Sequence, residues 1–180
     1  MNRAKNPKEV LEILENNFFP KTAYYGIIMQ SAVSYTMLGQ QEVGKEFCSK
    51  CKGGCCYNKN HLHIADVLRF YYSGLTSWMP EFLPLPKGDR CKMLTDTGCS
   101  LKRVQRPLIC VSFFCDMVAE KYTELYMIGK QIRAASEALV KVWRIEQGEA
   151  NKRTMANQER IIGGLRRMVL EYRCEEKSHT

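Results

Sequence analysis

Thiol sulfur is the most reactive chemistry this sequence carries. Nine cysteines occur in 180 residues, and eight of them fall between positions 48 and 115. Cys48, Cys51, Cys55 and Cys56 form a compact set, C-x2-C-x3-C-C, which is answered by a looser one at Cys91, Cys99, Cys110 and Cys115. A thiolate on a bendable loop is a strong ligand for zinc or iron, and a C-x2-C turn lets two sulfurs converge on one centre. Gly53-Gly54 supplies the backbone freedom that brings the chain back for Cys55 and Cys56. Successive side chains of an extended chain point to opposite sides, so Cys55 and Cys56 suit two neighbouring centres, or different corners of one larger cluster, better than one small ion. The two sets are therefore expected to interleave. Thr97-Gly98 predicts a turn before Cys99, and Arg106-Pro107 predicts a halt to any helix just ahead of Cys110. Arg106 is a candidate cofactor-binding residue, because its guanidinium can donate charge-assisted hydrogen bonds to anionic sulfur. A surface ion pair is the competing assignment.

Other side chains compete less well for a chemical role. His61 and His63 lie close enough to Cys56 to offer nitrogen ligands, but with eight thiols at hand a structural or solvent-exposed histidine is the expectation. Asp66 falls in the first turn of a predicted helix, where a carboxylate complements the helix dipole. Asp89 is placed to cap or to pair with Arg90 or Arg106, and Cys174 is expected to be a plain thiol. The sequence holds no phosphate-cradling glycine loop, no Gly-x-Ser-x-Gly and no His-Glu-x-x-His. The spacing C-x3-C-x2-C used by radical enzymes is also missing, since Cys48, Cys51 and Cys55 run in the opposite order.

Composition narrows the setting. At 20.8 kDa the chain is long enough to bury a core without covalent staples. The polar start Met1-Asn-Arg-Ala-Lys does not read as a secretory signal, and no apolar run approaches a bilayer span. A reducing cytoplasm is the expected compartment, where clustered thiols serve as metal ligands or redox centres rather than as disulfides. The formal charge of +8 assumes neutral thiols. Eight metal-bound thiolates would offset it, so the basic balance reads as a counterweight to an anionic site. No basic-aromatic interleaving points to nucleic acid.

The elements that must position these sulfurs are mostly helical. Asn6-Pro7 predicts a helix start, with Val10, Leu11, Ile13 and Leu14 at helical spacing. Pro20 interrupts this helix, and a second is predicted over about 21–40, turning Tyr25, Ile28, Met29, Ala32, Val33 and Leu38 toward a core. Periodicity vanishes over 44–63, a short helix is expected over 65–72 closed by Gly74, and prolines make 78–90 an irregular loop delivering Cys91. Leu125, Ile128, Ile132, Ala135, Leu139 and Val142 then trace one helix seam, which Gly148 ends. Met155, Ile162, Leu165, Val169 and Tyr172 resume the rhythm, predicting an antiparallel hairpin in which Gly163-Gly164 marks a close crossing or a kink. The expected fold is mainly α: N-terminal helices over 1–43, a cysteine-rich metal-binding region over 44–116 and a C-terminal hairpin over 117–180, all in one compact domain. Metal is expected to organise the aperiodic middle.

The cysteine frame resembles the YkgJ-type cysteine-cluster family, the zinc- or iron-chelating CxxCxxxCC domain. The likeness covers about residues 47–116. It rests on C-x2-C-x3-C-C, the helical Ile64-Ala-Asp-Val-Leu-Arg, then Gly-Asp-x-Cys, Gly-Cys-Ser-Leu, Arg-Pro-x-x-Cys and Phe-x-Cys in that order. The resemblance implies that all eight cysteines ligate metal, and it suggests distant kinship with flagellin lysine N-methylase, which carries such a domain with an iron–sulfur cluster. A [4Fe-4S] cluster and zinc both take four thiolates, and spacing does not choose between them. The family link favours iron–sulfur with a redox or protein-modifying, methyl-transfer role. The alternative is structural zinc in a protein whose helical surface binds a partner.

Overall fold

The computed structural model describes residues 7–43, 62–77, 94–95, 98–99, 101–112, 120–148 and 156–167, giving backbone alone for 35–43, 94–95, 98–99 and 103. It is mainly helical. The elements are α1 (Pro7–Asn16), α2 (Pro20–Val43), α3 (Ile64–Tyr72), β1 (Leu94–Thr95), β2 (Gly98–Cys99), a 3-10 turn (Arg103–Gln105), α4 (Leu108–Ser112) and α5 (Thr123–Glu146). A last helix, α6, spans 156–167.

α2 is the organiser, packing against both α3 and α5, while α1 lies on α3 and α4 lies on α5 and α2. Pro7 and Pro20 each open a helix, where a residue lacking an amide N–H leaves no helical bond unmade. The next amides of α2 are capped from afar: Glu146, at the end of α5, accepts from Lys21 N–H at 3.0 Å and Thr22 N–H at 2.7 Å. That junction sets the start of α2 beside the end of α5. Ten-residue α1 is too short to persist alone. It is held by buried Val10 and Leu14, one helical turn apart, and by Tyr71 Oη donating to Leu14 O at 3.0 Å.

The expected seam of α5 is the buried one: Ile132, Ala135, Leu139 and Val142 are enclosed, and Trp143 joins them. In α2, Met29, Ala32 and Val33 are buried and Tyr25 packs at the core's edge, whereas Leu38 has no described side chain. Gly148 adopts φ +84° just beyond α5, and Gly74 φ +68° just beyond α3, the left-handed conformation that suits glycine after a helix. In α6, Ile162 and Leu165 are buried, and Lys21 Nζ meets Glu159 at 3.1 Å. Met155, Val169 and Tyr172 lie outside the described residues.

The close helix crossing lies elsewhere than Gly163-Gly164. A Cβ at either of those glycines would meet nothing within 4 Å, and α6 runs through both. Gly26 is the close approach instead. A Cβ there would sit 3.3 Å from Leu68 O and 3.5 Å from Arg69 Cα, so its lack of a side chain lets α2 press onto the backbone of α3.

Candidate metal centre

Cys110, one member of the second cysteine set, follows a stretch of chain that a buried polar knot from α2 and α3 holds. His63 caps α3: its Nδ1 accepts from Ala65 N–H at 3.3 Å, while Asp66 Oδ2 accepts from His63 N–H at 3.0 Å. This reciprocal arrangement satisfies amides that the first helical turn leaves open. Asp66 thus has the first-turn position expected of it, but it is also fully buried and ion-paired with Arg69, a role beyond a dipole interaction. Arg69 Nε and Nη2 donate to Asp66 Oδ1 at 3.1 and 2.8 Å. Arg69 Nη1 donates to Gln30 Oε1 on α2. Both side chains of the ion pair are wholly enclosed.

The knot grips alternate residues of the approaching backbone. Gln30 Nε2 donates to Val104 O at 2.9 Å, Arg69 Nη2 donates to Arg106 O at 2.5 Å, and Leu108 N–H donates to Asp66 Oδ1 at 2.8 Å. Pro107 ends the preceding 3-10 turn, as the sequence led one to expect, but a new helix begins immediately, and Cys110 N–H donates to Pro107 O at 2.9 Å. Cys110 therefore sits inside α4 rather than on a loop. The reason is burial: Leu108 and Val111 face the core at helical spacing, which repays a single turn that local sequence does not favour. The far end of α4 is fastened by Arg133 of α5, whose Nη2 donates to Ser112 O at 2.6 Å.

Cys110 is exposed on the outer side of this doubly anchored turn. It is also part of the electrostatics of the knot. Desolvation pushes the Arg69 guanidinium below its usual value, and the Asp66 carboxylate and then Cys110 oppose that loss. Arg106 has its carbonyl in the knot, and its buried Nε has no hydrogen-bond partner among the described residues. A buried N–H of a guanidinium without a partner is costly and calls for an acceptor. An anionic sulfur is one acceptor that would meet that demand.

Cys99 pairs with Leu94 and Gly98 with Thr95 in the β1–β2 ladder, so Gly98 lies in a strand rather than in the expected Thr97-Gly98 turn. Thr97 lies outside the described residues, and only the backbone of Cys99 is described. Cys48, Cys51, Cys55, Cys56, Cys91 and Cys115 lie outside the described residues, as do His61, Asp89, Cys174 and Gly53-Gly54. Among the described residues, no three His, Cys, Asp or Glu side chains gather into a metal-binding group. Gln30, Arg69 and Arg133 were not singled out by sequence. The signal for one of them was present: Asp66 and Arg69 stand three apart on an otherwise apolar helix, sharing a face that has little other polar company.

Comparison with family models, with curated proteins and with solved structures gives no match for this chain.

Proposed function

We propose that this protein is a metal-binding cysteine-cluster protein of the YkgJ type, in which Cys48, Cys51, Cys55, Cys56, Cys91, Cys99, Cys110 and Cys115 supply thiolate ligands. The observation that carries it is Cys110, an exposed thiol on a helical turn anchored at both ends, four residues after Arg106, whose buried Nε–H has no hydrogen-bond partner among the described residues. A surface cysteine with no role does not require such mounting. Arg106 is assigned as the residue that donates to cluster sulfur.

The preferred centre is iron–sulfur, where a [4Fe-4S] cluster would supply electron transfer or an open iron for substrate. A redox or protein-modifying role, methyl transfer included, follows from the family likeness, and a protein substrate or partner goes with it. Reduced thiols of this kind belong in the cytoplasm. Among the described residues no helix is long and apolar enough to cross a membrane. Zinc is the competing occupant; it would make the centre a redox-inert staple and shift the function to the helical surface.

Anaerobic purification followed by visible absorption, metal analysis and sulfide analysis tests the assignment. Brown protein with iron and labile sulfide supports a cluster, and colourless protein with stoichiometric zinc supports the alternative. Protein that holds neither metal after gentle isolation contradicts both.

A further inference from the structure

The polar knot is larger than helix capping needs. Capping α3 requires only His63 and Asp66, yet Arg69 and Gln30 are also buried, and their remaining donors are spent on Val104 O and Arg106 O. Every described bond of this network that leaves α2 and α3 lands on the 104–108 backbone, directly before Cys110. The planar fork of Arg69 matters to this arrangement. It reaches Asp66, Gln30 and Arg106 O at once, which a lysine ammonium on a flexible stem does not reproduce.

We infer that Arg69 is a positioning residue for the metal centre: its guanidinium, locked by Asp66 and Gln30, fixes the backbone that aims the Cys110 thiol. The inference rests on the metal-binding reading above. Residues behind a ligand orient it, and their loss typically changes metal affinity by about 10–100-fold. Here the support acts through the main chain rather than through the sulfur, because the knot's bonds end on carbonyls and an amide of the chain that carries Cys110. With the guanidinium gone, Arg106 O loses its donor and Asp66 and Gln30 lose the group that locks them, so the remaining holds on Leu108 N–H and Val104 O loosen and the sulfur loses its fixed direction.

The test measures how fast full-length protein, loaded during expression, releases its metal to excess ferrous chelator or, for zinc, to 4-(2-pyridylazo)resorcinol. Wild type is compared with Arg69→Met, Arg69→Lys and Leu14→Ala, the last a core truncation between α1 and α3, at a residue with no described hydrogen bond to the knot, that controls for general destabilisation. All are assayed where circular dichroism shows them folded. Release about tenfold faster or more in both Arg69 variants, with Leu14→Ala near wild type, is the expected result. Arg69→Met that tracks Leu14→Ala overturns the inference, and so does full rescue by Arg69→Lys, which would assign the effect to charge alone. Should both Arg69 variants fail to fold, Gln30→Ala removes only the hold on Val104 O and one Arg69 acceptor; severalfold faster release supports the inference and an unchanged rate overturns it. Wild type that holds no metal overturns the metal reading and the inference together, whereas metal-loaded wild type with unaltered variants overturns the inference alone.

Discussion

A single buried carboxylate decides the local structure around α3. Asp66 accepts from His63 N–H, Leu108 N–H and the Arg69 guanidinium, and it has no exposure to water. Asp66→Ala strands a buried positive charge and two amides, a loss of about 3–5 kcal/mol by the behaviour of broken buried pairs. Chemical denaturation measures it. Glu159→Gln is the contrast, because Lys21–Glu159 is a partly exposed pair with side chains 53% and 32% accessible. Its loss should stay below about 1 kcal/mol. The first-turn position of Asp66 was legible in the sequence, but its burial was not. Aspartate and arginine three residues apart on a helix usually make a solvated pair, and only Gln30 and the 104–108 backbone, distant along the chain, turn this one inward. Arg106 was legible as a candidate from its chemistry and its place before Cys110. That its carbonyl is held by Arg69, while its buried Nε finds no acceptor among the described residues, follows from the fold alone.

At the scale of elements, the 3.6-residue rhythm was readable and the crossings were not. The α5 seam, the Pro7 helix start and the glycines after α3 and α5 fall where periodicity and backbone preference put them, and Pro20, read as an interruption, opens α2 itself. α4 escaped because five residues carry no periodic signal; it exists through Leu108 and Val111 packing on α5 and α2. Gly163-Gly164 drew attention as a pair, while the solitary Gly26 makes the close contact. The two sites give opposite predictions. Gly163→Ala meets open space in a helix and should stabilise the protein by up to about 1 kcal/mol. Gly26→Ala gains the same helix propensity but drives a methyl against backbone that the Asp66–Arg69 knot holds still, and overpacking of about 1–3 kcal/mol should outweigh the gain. Thermal melts of the two variants should therefore shift in opposite directions. A rise in both would mean that α3 yields to the added methyl.

Over the whole molecule, the described helices form the core, and metal is proposed to organise the thiol-rich middle. The core is built from residues of α1, α2, α3, α5 and α6, and it holds Leu108 and Val111 through packing and the knot. The aperiodic stretches 44–63 and 78–93 have no comparable apolar pattern in sequence. Metal removal should therefore cost these stretches their hydrogen-exchange protection, while the Leu108 amide, donated to buried Asp66, stays protected. Exchange measured by mass spectrometry on chelated and loaded protein checks both halves. The formal charge of +8 fits the same division, because eight thiolates would neutralise it before the metal contributes its own charge. The most direct measurement of all is X-ray absorption at the edge of whichever metal co-purifies with the full-length chain. A first shell of sulfur at about 2.3 Å is the predicted result. A shell of nitrogen and oxygen alone would contradict the assignment of these cysteines as its ligands.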